Sequence, residues 1–89
     1  MSVWTHIEGQ VRILKKDKVS IKDVLEKVFT DEFVLNVKTE DHKHFWHHEI
    51  NCRLCIDGQA FMERYDDLLY ELKPIRGGLD LTATIRLLS

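Results

Sequence analysis

The two cysteines have the spacing of a redox or zinc motif, Cys52-Arg53-Leu54-Cys55. A disulfide needs Cα atoms within about 7 Å, and a zinc ribbon needs a turn at the first ligand pair and a second pair nearby. The surrounding residues alternate as in a β-strand, where three steps separate the Cα atoms by about 10 Å and turn the side chains to opposite faces. We therefore predict two free thiols, with Cys52 in the core and Cys55 at the surface or an edge.

Histidines dominate a second segment, residues 42–48, which holds four of the chain's five. Imidazoles at alternate positions of a strand share a face, so His42, His44 and His48 are candidate ligands of a divalent metal ion. However, no carboxylates at a diagnostic spacing accompany them, and two apolar aromatics interrupt the run. The alternative is a solvated hairpin tip with Trp46 and His48 in the core, and we expect no cofactor.

The apolar pattern around these residues predicts an α+β fold. Alternation at every second residue predicts strands at residues 3–13, 45–56 and 81–88. A segment rich in β-branched and apolar residues predicts another strand at 33–39. Apolar residues three and four apart predict a helix whose N-terminus is capped by Ser20, with Asp23 three residues later. The same spacing predicts a second helix from Asp57-Gly58 to Pro74, followed by a turn at Gly77-Gly78. This β-α-β-β-α-β order is typical of a ferredoxin-like sandwich, which has a four-stranded antiparallel sheet with two helices on one face and its first and third strands in the centre. Gly9, inside the first strand, predicts a bulge or the close approach of a packed helix.

The sheet face without helices is expected to bind a partner. It would carry alternate residues of the two central strands: Trp4, His6, Glu8, Gln10 and Arg12, and Phe45, His47, Glu49, Asn51 and Arg53. If these strands are antiparallel neighbours, Trp4 lies near Arg53 and Arg12 lies near His47. Trp, Phe and Arg are enriched at protein interfaces, whereas Glu8 places negative charge where an RNA-recognition domain would stack bases. The pattern therefore favours a protein partner over single-stranded nucleic acid.

The last strand is a second candidate contact. Residues 81–88 contain no lysine or proline that would block edge pairing, and their only charged residue is Arg86. Such an edge can pair with its equivalent in another subunit, which gives a homo-oligomer, or accept a strand of a different protein. Coverage by a loop or by the chain end is the alternative.

Length and composition exclude several classes of function. The chain has 89 residues, which predicts a single domain over residues 1–89, and 44% hydrophobic with 31% charged residues is typical of a folded soluble protein. Thirteen basic and fifteen acidic residues give a net charge of -2, so a general affinity for nucleic acid or anionic lipid has no support. No apolar run approaches the roughly 18 residues of a membrane span, and the N-terminus does not resemble a signal peptide. We expect a cytoplasmic protein that does not bind membranes.

Motifs of known enzymes are also missing. The segment Gly9-Gln10-Val11-Arg12 is superficially similar to the phosphate loop of acylphosphatases, but no glycine-rich loop follows the first strand. There is no P-loop, nucleophile elbow or dinucleotide fingerprint. Asp66 and Asp67 diverge by about 100° on a helix, so they do not form an acid–base pair. The sequence therefore predicts a protein that is not an enzyme.

The N-terminus carries one family resemblance. The opening Met-Ser-Val-Trp-Thr-His-Ile, followed by Gly9 and Arg12-Ile13, resembles the start of small uncharacterised proteins encoded by bacteriophages of Gram-positive hosts. The resemblance implies a phage or prophage origin and action inside the host cell, and it assigns no catalytic residue. Together these observations predict a protein-binding module that acts as a homo-oligomer or on a host or phage protein.

Overall fold

The structure, a computed structural model, describes residues 2–88, which form a four-stranded sheet covered by three helices. In chain order the elements are β1 (Ser2–Leu14), α1 (Ile21–Val28), β2 (Phe33–Asp41), β3 (Phe45–Leu54), α2 (Gly58–Glu63), α3 (Tyr65–Leu72) and β4 (Pro74–Leu88). The strands lie in the order β2-β3-β1-β4, and all neighbours are antiparallel. The predicted α+β class and four-stranded antiparallel sheet are confirmed.

Strand β1 shows how alternation separates the two faces of the sheet. Thr5, Ile7, Val11 and Ile13 are at most 3% exposed and point towards the helices. The buried Thr5 hydroxyl donates a hydrogen bond to the carbonyl oxygen of Ile56 at 2.8 Å, which satisfies both polar groups within the core. The residues between them point to the other side of the sheet, as the period of two predicts.

Polar side chains cap two of the helices. The Ser20 hydroxyl accepts a hydrogen bond from the backbone N–H of Asp23, as predicted, and the Asp57 carboxylate accepts one from the N–H of Ala60. The predicted single second helix is wrong, because the backbone at Arg64 (φ -106°, ψ 3°) leaves helical geometry and separates α2 from α3. The Arg64 guanidinium donates a hydrogen bond to the Asp31 carboxylate at 3.1 Å.

The core lies between the helices and the sheet. The Phe29 and Phe61 rings stack with their centroids 5.7 Å apart. Leu54 and Leu72 belong to the same core cluster and are at most 1% exposed, and Cys52 is 1% exposed, which confirms its predicted place in the core. Among residues 2–88, no helix is long and apolar enough to cross a membrane.

Strand β4 begins earlier than predicted. It starts at Pro74, and its pairing with β1 shifts between Val11, opposite Leu79, and Ile13, opposite Pro74. Residues 75–78 therefore form a bulge, in which Gly77 has a positive φ of 75°. The predicted turn at Gly77-Gly78 is wrong. α3 ends at Leu72 and β4 begins at Pro74, so the chain turns at Lys73, which has left-handed backbone geometry.

Gly9 allows close contact between two strands. Its φ is 144°, and a Cβ atom at this position would lie 1.8 Å from the carbonyl oxygen of Asp80 in β4. The expected bulge is not at Gly9, because the pairing shift in β1 lies at residues 11–13. The expected packed helix is also wrong, because the backbone close to Gly9 belongs to strand β4.

The last residues of β4 are largely exposed. The Ile85 side chain lies against Gly58 at the start of α2, where a Cβ atom would be 2.0 Å from the Ile85 Cδ1 atom. Ile85 and Leu87, on the helix side of the strand, are nevertheless 58% and 66% exposed. This edge of the sheet therefore presents apolar side chains to solvent.

Candidate interaction surface

We call the sheet side without helices the open face. Its side chains come from all four strands: Val34, Asn36, Lys38 and Glu40; Phe45, His47, Glu49, Asn51 and Arg53; Trp4, His6, Glu8, Gln10 and Arg12; and Asp80, Thr82, Thr84 and Arg86. Both residue pairings predicted across the central strands are present. The face divides into two aromatic ends and a polar middle.

The first end is the Trp4 corner, formed by Trp4, Arg53 and Arg86. The Arg53 guanidinium carbon lies 5.9 Å from the centroid of the Trp4 ring, within the range of a cation–π contact. Arg86 lies directly opposite Trp4 on β4. Neither arginine forms an ion pair within residues 2–88. The corner therefore combines a half-buried indole with two cations that are free to meet carboxylates.

The second end is the Arg12 cluster, formed by Arg12, His47, Phe45 and His42. The Arg12 Nε–H donates a hydrogen bond to His47 Nδ1 at 3.2 Å, which places the proton of a neutral His47 on Nε2. Phe45 stacks on His42 with centroids 4.5 Å apart, and His42 Nε2 lies 3.0 Å from the Glu40 carboxylate. His42 was not predicted to join this cluster, because the hairpin turn that brings it onto Phe45 has no distinctive motif.

The middle of the open face is polar and slightly concave. The concavity has a volume of about 650 Å³ and includes the side chains of Glu8, Glu49 and Asp80. Gln10 lies between Glu49 and Asp80 across the strands, and Lys38 lies beside Glu49. These three carboxylates separate the Trp4 corner from the Arg12 cluster.

The three predicted metal ligands do not converge. His42 stacks on Phe45 at the open face, whereas His48 is 8% exposed on the helix side of the sheet and His44 is exposed in the turn between β2 and β3. No group of three histidine, cysteine, aspartate or glutamate residues in the described part of the chain, residues 2–88, is placed to hold a metal ion. The prediction failed because the turn puts His42 and His48 on opposite faces.

His48 occupies a polar position within the core. Its Nδ1 atom shares a hydrogen bond with the Thr39 hydroxyl at 2.9 Å, and its buried Nε2 atom has no partner within residues 2–88. Burial and, to a lesser extent, the neighbouring His47 lower the pKa of His48 from 6.5. The fold therefore favours the neutral imidazole.

The two thiols are free, as predicted. Burial raises the pKa of Cys52 to about 11, so this residue is a protonated thiol near neutral pH and a poor nucleophile. Cys55 is half-buried beyond the end of β3. The buried, protonated thiol of Cys52 does not support a redox role for this pair of cysteines.

Comparisons with known proteins provide information on the fold. No protein-family model and no curated protein matches the chain. Among solved structures, one described as "De novo designed protein Foldit4" is similar over 100% of both chains, with a TM-score of 0.52 and 12% sequence identity. At this identity the similarity supports the arrangement of the strands and helices and carries no information about function.

Proposed function

We propose that this chain is a non-enzymatic protein-binding module whose open face binds an acidic segment of another protein. The observation that carries the proposal is the Trp4 corner, where an indole and the two guanidiniums of Arg53 and Arg86 lie together without covering structure. Trp and Arg are the residue types that most often dominate protein–protein binding energy. Phe45, Arg12 and His47 provide a second contact at the other end of the face.

The charge pattern favours a protein over nucleic acid. A single strand that ran between the two aromatic ends would bring its phosphates over Glu8, Glu49 and Asp80, which repel them. A protein segment can place its carboxylates on the Trp4 corner and neutral or basic groups over the middle. Specific recognition of this kind needs no net positive charge, in keeping with the chain's net charge of -2.

The finer fold and the origin form part of the same proposal. We infer a ferredoxin-like sandwich, because the order β2-β3-β1-β4 has the first and third strands in the centre and, counted from β4, runs fourth, first, third, second. The division into α2 and α3 is a departure within the second helix. The resemblance of the N-terminus to phage proteins supports a small phage or prophage factor that acts in the host cytoplasm on a host or phage protein.

The test is selection from a random peptide library displayed on a carrier, with the purified protein as bait. We expect acidic peptides whose affinity falls at least tenfold with Trp4→Ala or Arg53→Ala, and also when the peptide carboxylates are replaced by amides. Tyr70→Ala is the matched control, since this aromatic residue is 76% exposed on α3, in the helix layer. Equal binding by all variants, or tighter binding to a labelled oligonucleotide than to any peptide, would overturn the proposal.

A further inference from the structure

The outer edge of β4 is unpaired among the described residues and carries exposed apolar groups. β4 is the last strand in the order β2-β3-β1-β4, and the side chains of residues 82–87 are all exposed. Among the large apolar side chains of the sheet whose burial the structure describes, Ile85 and Leu87 are the most exposed. Unpaired backbone groups beside exposed apolar side chains form a template for another strand.

The sequence of this edge is nearly symmetric about Ala83. Residues 79–87 read Leu-Asp-Leu-Thr-Ala-Thr-Ile-Arg-Leu, in which each residue on one side of Ala83 has a counterpart of matching or complementary chemistry on the other. Threonine matches threonine, aliphatic matches aliphatic, and Asp80 corresponds to Arg86. An antiparallel pair of identical strands places such counterparts directly opposite each other.

We propose that β4 pairs with β4 of a second copy of this chain, centred on Ala83. On the open face, Asp80 of each copy then lies opposite Arg86 of the other, and Thr82 lies opposite Thr84. On the helix side, Leu81 lies opposite Ile85 and Leu79 lies opposite Leu87. The two exposed apolar residues thereby gain aliphatic neighbours, and both charges gain opposite charges.

Other registers lose these matches. If one strand slips by a single residue relative to the other, apolar residues of one copy lie opposite polar residues of the other. Centring the pair on Thr82 or Thr84 leaves Asp80 and Arg86 without charged counterparts, and centring it on either charged residue places like charges together. The Ala83 register is the one that satisfies both faces, and the bulge at residues 75–78 limits its extent.

The resulting dimer has a two-fold axis through the sheet. Its sheet is a continuous one of eight strands, with the helices of both copies on one side and both open faces on the other. Trp4 and Arg53 stay uncovered, since they lie on β1 and β3. The inference goes beyond the proposed function and does not depend on it, although the two share Arg86. In the dimer Arg86 faces Asp80 of the other copy, and Trp4 and Arg53 are left for the acidic segment.

Charge exchange tests the register. Sedimentation equilibrium should give about twice the 10.5 kDa of one chain for the native protein, and 10.5 kDa for Asp80→Arg and for Arg86→Asp, which place like charges opposite each other. An equimolar mixture of the two variants should recover the dimer, since arginines at positions 80 and 86 in one copy face aspartates in the other. Trp4→Ala should remain dimeric. Circular dichroism checks that each variant is folded.

Cross-linking tests the position of the axis. On a Cys55→Ser background, a short thiol–thiol reagent should cross-link two copies of the Ala83→Cys variant through position 83, because position 83 of one copy lies opposite position 83 of the other. Leu87→Cys is the control. Position 87 of one copy lies opposite Leu79 of the other, so the two introduced thiols are eight residues apart along the strand, about 27 Å. A monomer at every concentration, variants that dimerise like the native protein, no recovery on mixing, or equal cross-linking at both positions would overturn the proposal.

Discussion

The two faces of one sheet differ in what holds their side chains in place. On the covered face, Val11 and Ile13 are 0% exposed and are packed against side chains from both the helices and the other strands. On the open face, Arg12 lies between these two residues in sequence, yet its exposed guanidinium is held by a hydrogen bond to His47 in the neighbouring strand. Burial of apolar area is the dominant favourable contribution to folding, so the covered face accounts for most of the stability. The open face can change its chemistry at little cost to the fold.

The largest expected effect separates two neighbouring residues of α2. Phe61 is 1% exposed and stacks on Phe29, whereas Met62 is 61% exposed. Phe61→Ala should lower the free energy of unfolding by about 3–5 kcal/mol, because it removes a large buried ring and leaves a cavity. Met62→Ala should change it by less than about 0.5 kcal/mol. Urea denaturation followed by circular dichroism measures both, and similar midpoints for the two variants would contradict the assignment of the core.

Gly9→Ala should break the contact between β1 and β4. The new Cβ would overlap the Asp80 carbonyl oxygen, and the positive φ of Gly9 is unfavourable for alanine. We expect a loss of about 3 kcal/mol in the free energy of unfolding, from combined backbone strain and lost pairing. Gly77→Ala is the control: its φ is also positive, but a Cβ there meets nothing within 4 Å. The difference between the two variants reports the strand contact together with the greater backbone strain at Gly9, and equal losses would mean that the contact with Asp80 contributes nothing.

The face of each central strand could be predicted from sequence, because the period of two depends only on local geometry. The contacts of Trp4 with Arg53 and of Arg12 with His47 followed from the same pattern once the strands were taken as antiparallel neighbours. The helix cap at Ser20 was also predicted correctly, since it involves residues three apart. These features share a short range along the chain or a simple repeat.

Features set by tertiary geometry were not predicted. The exposure of Ile85 and Leu87 depends on how fully the helices cover the end of β4, which alternation within the strand does not report. The placement of His42 and His48 on opposite faces depends on a hairpin turn. The role of Gly9 depends on β4, a strand about seventy residues further along the chain, in which Leu81 lies opposite Gly9. In each case the deciding contact lies outside the local pattern.

His48 should make the covered face sensitive to acid. Its pKa is lowered in the folded state, so the unfolded chain, with a pKa near 6.5, binds the proton more readily. Stability is therefore complete above pH 6.5 and falls as the pH decreases towards the lowered pKa, with a slope of at most about 1.4 kcal/mol per pH unit from this one group. His48→Leu should flatten this dependence, while His44→Gln, in the exposed turn, should keep it. Urea midpoints measured across mildly acidic pH provide the check, and an unchanged profile in His48→Leu would assign the sensitivity to other groups.

The smallest expected effect lies in the Trp4 corner. Trp4 and Arg53 form a cation–π contact at a partly exposed site, for which a coupling of about 0.5–1 kcal/mol is typical. A double-mutant cycle of Trp4→Ala and Arg53→Ala should measure a coupling in this range from urea denaturation, far below the effect of Phe61→Ala. The same two variants should abolish most peptide binding. If instead the coupling approached the loss caused by a buried aromatic residue, the Trp4 corner would be part of the folding core, because its side chains would then be maintained by stability and would need no partner.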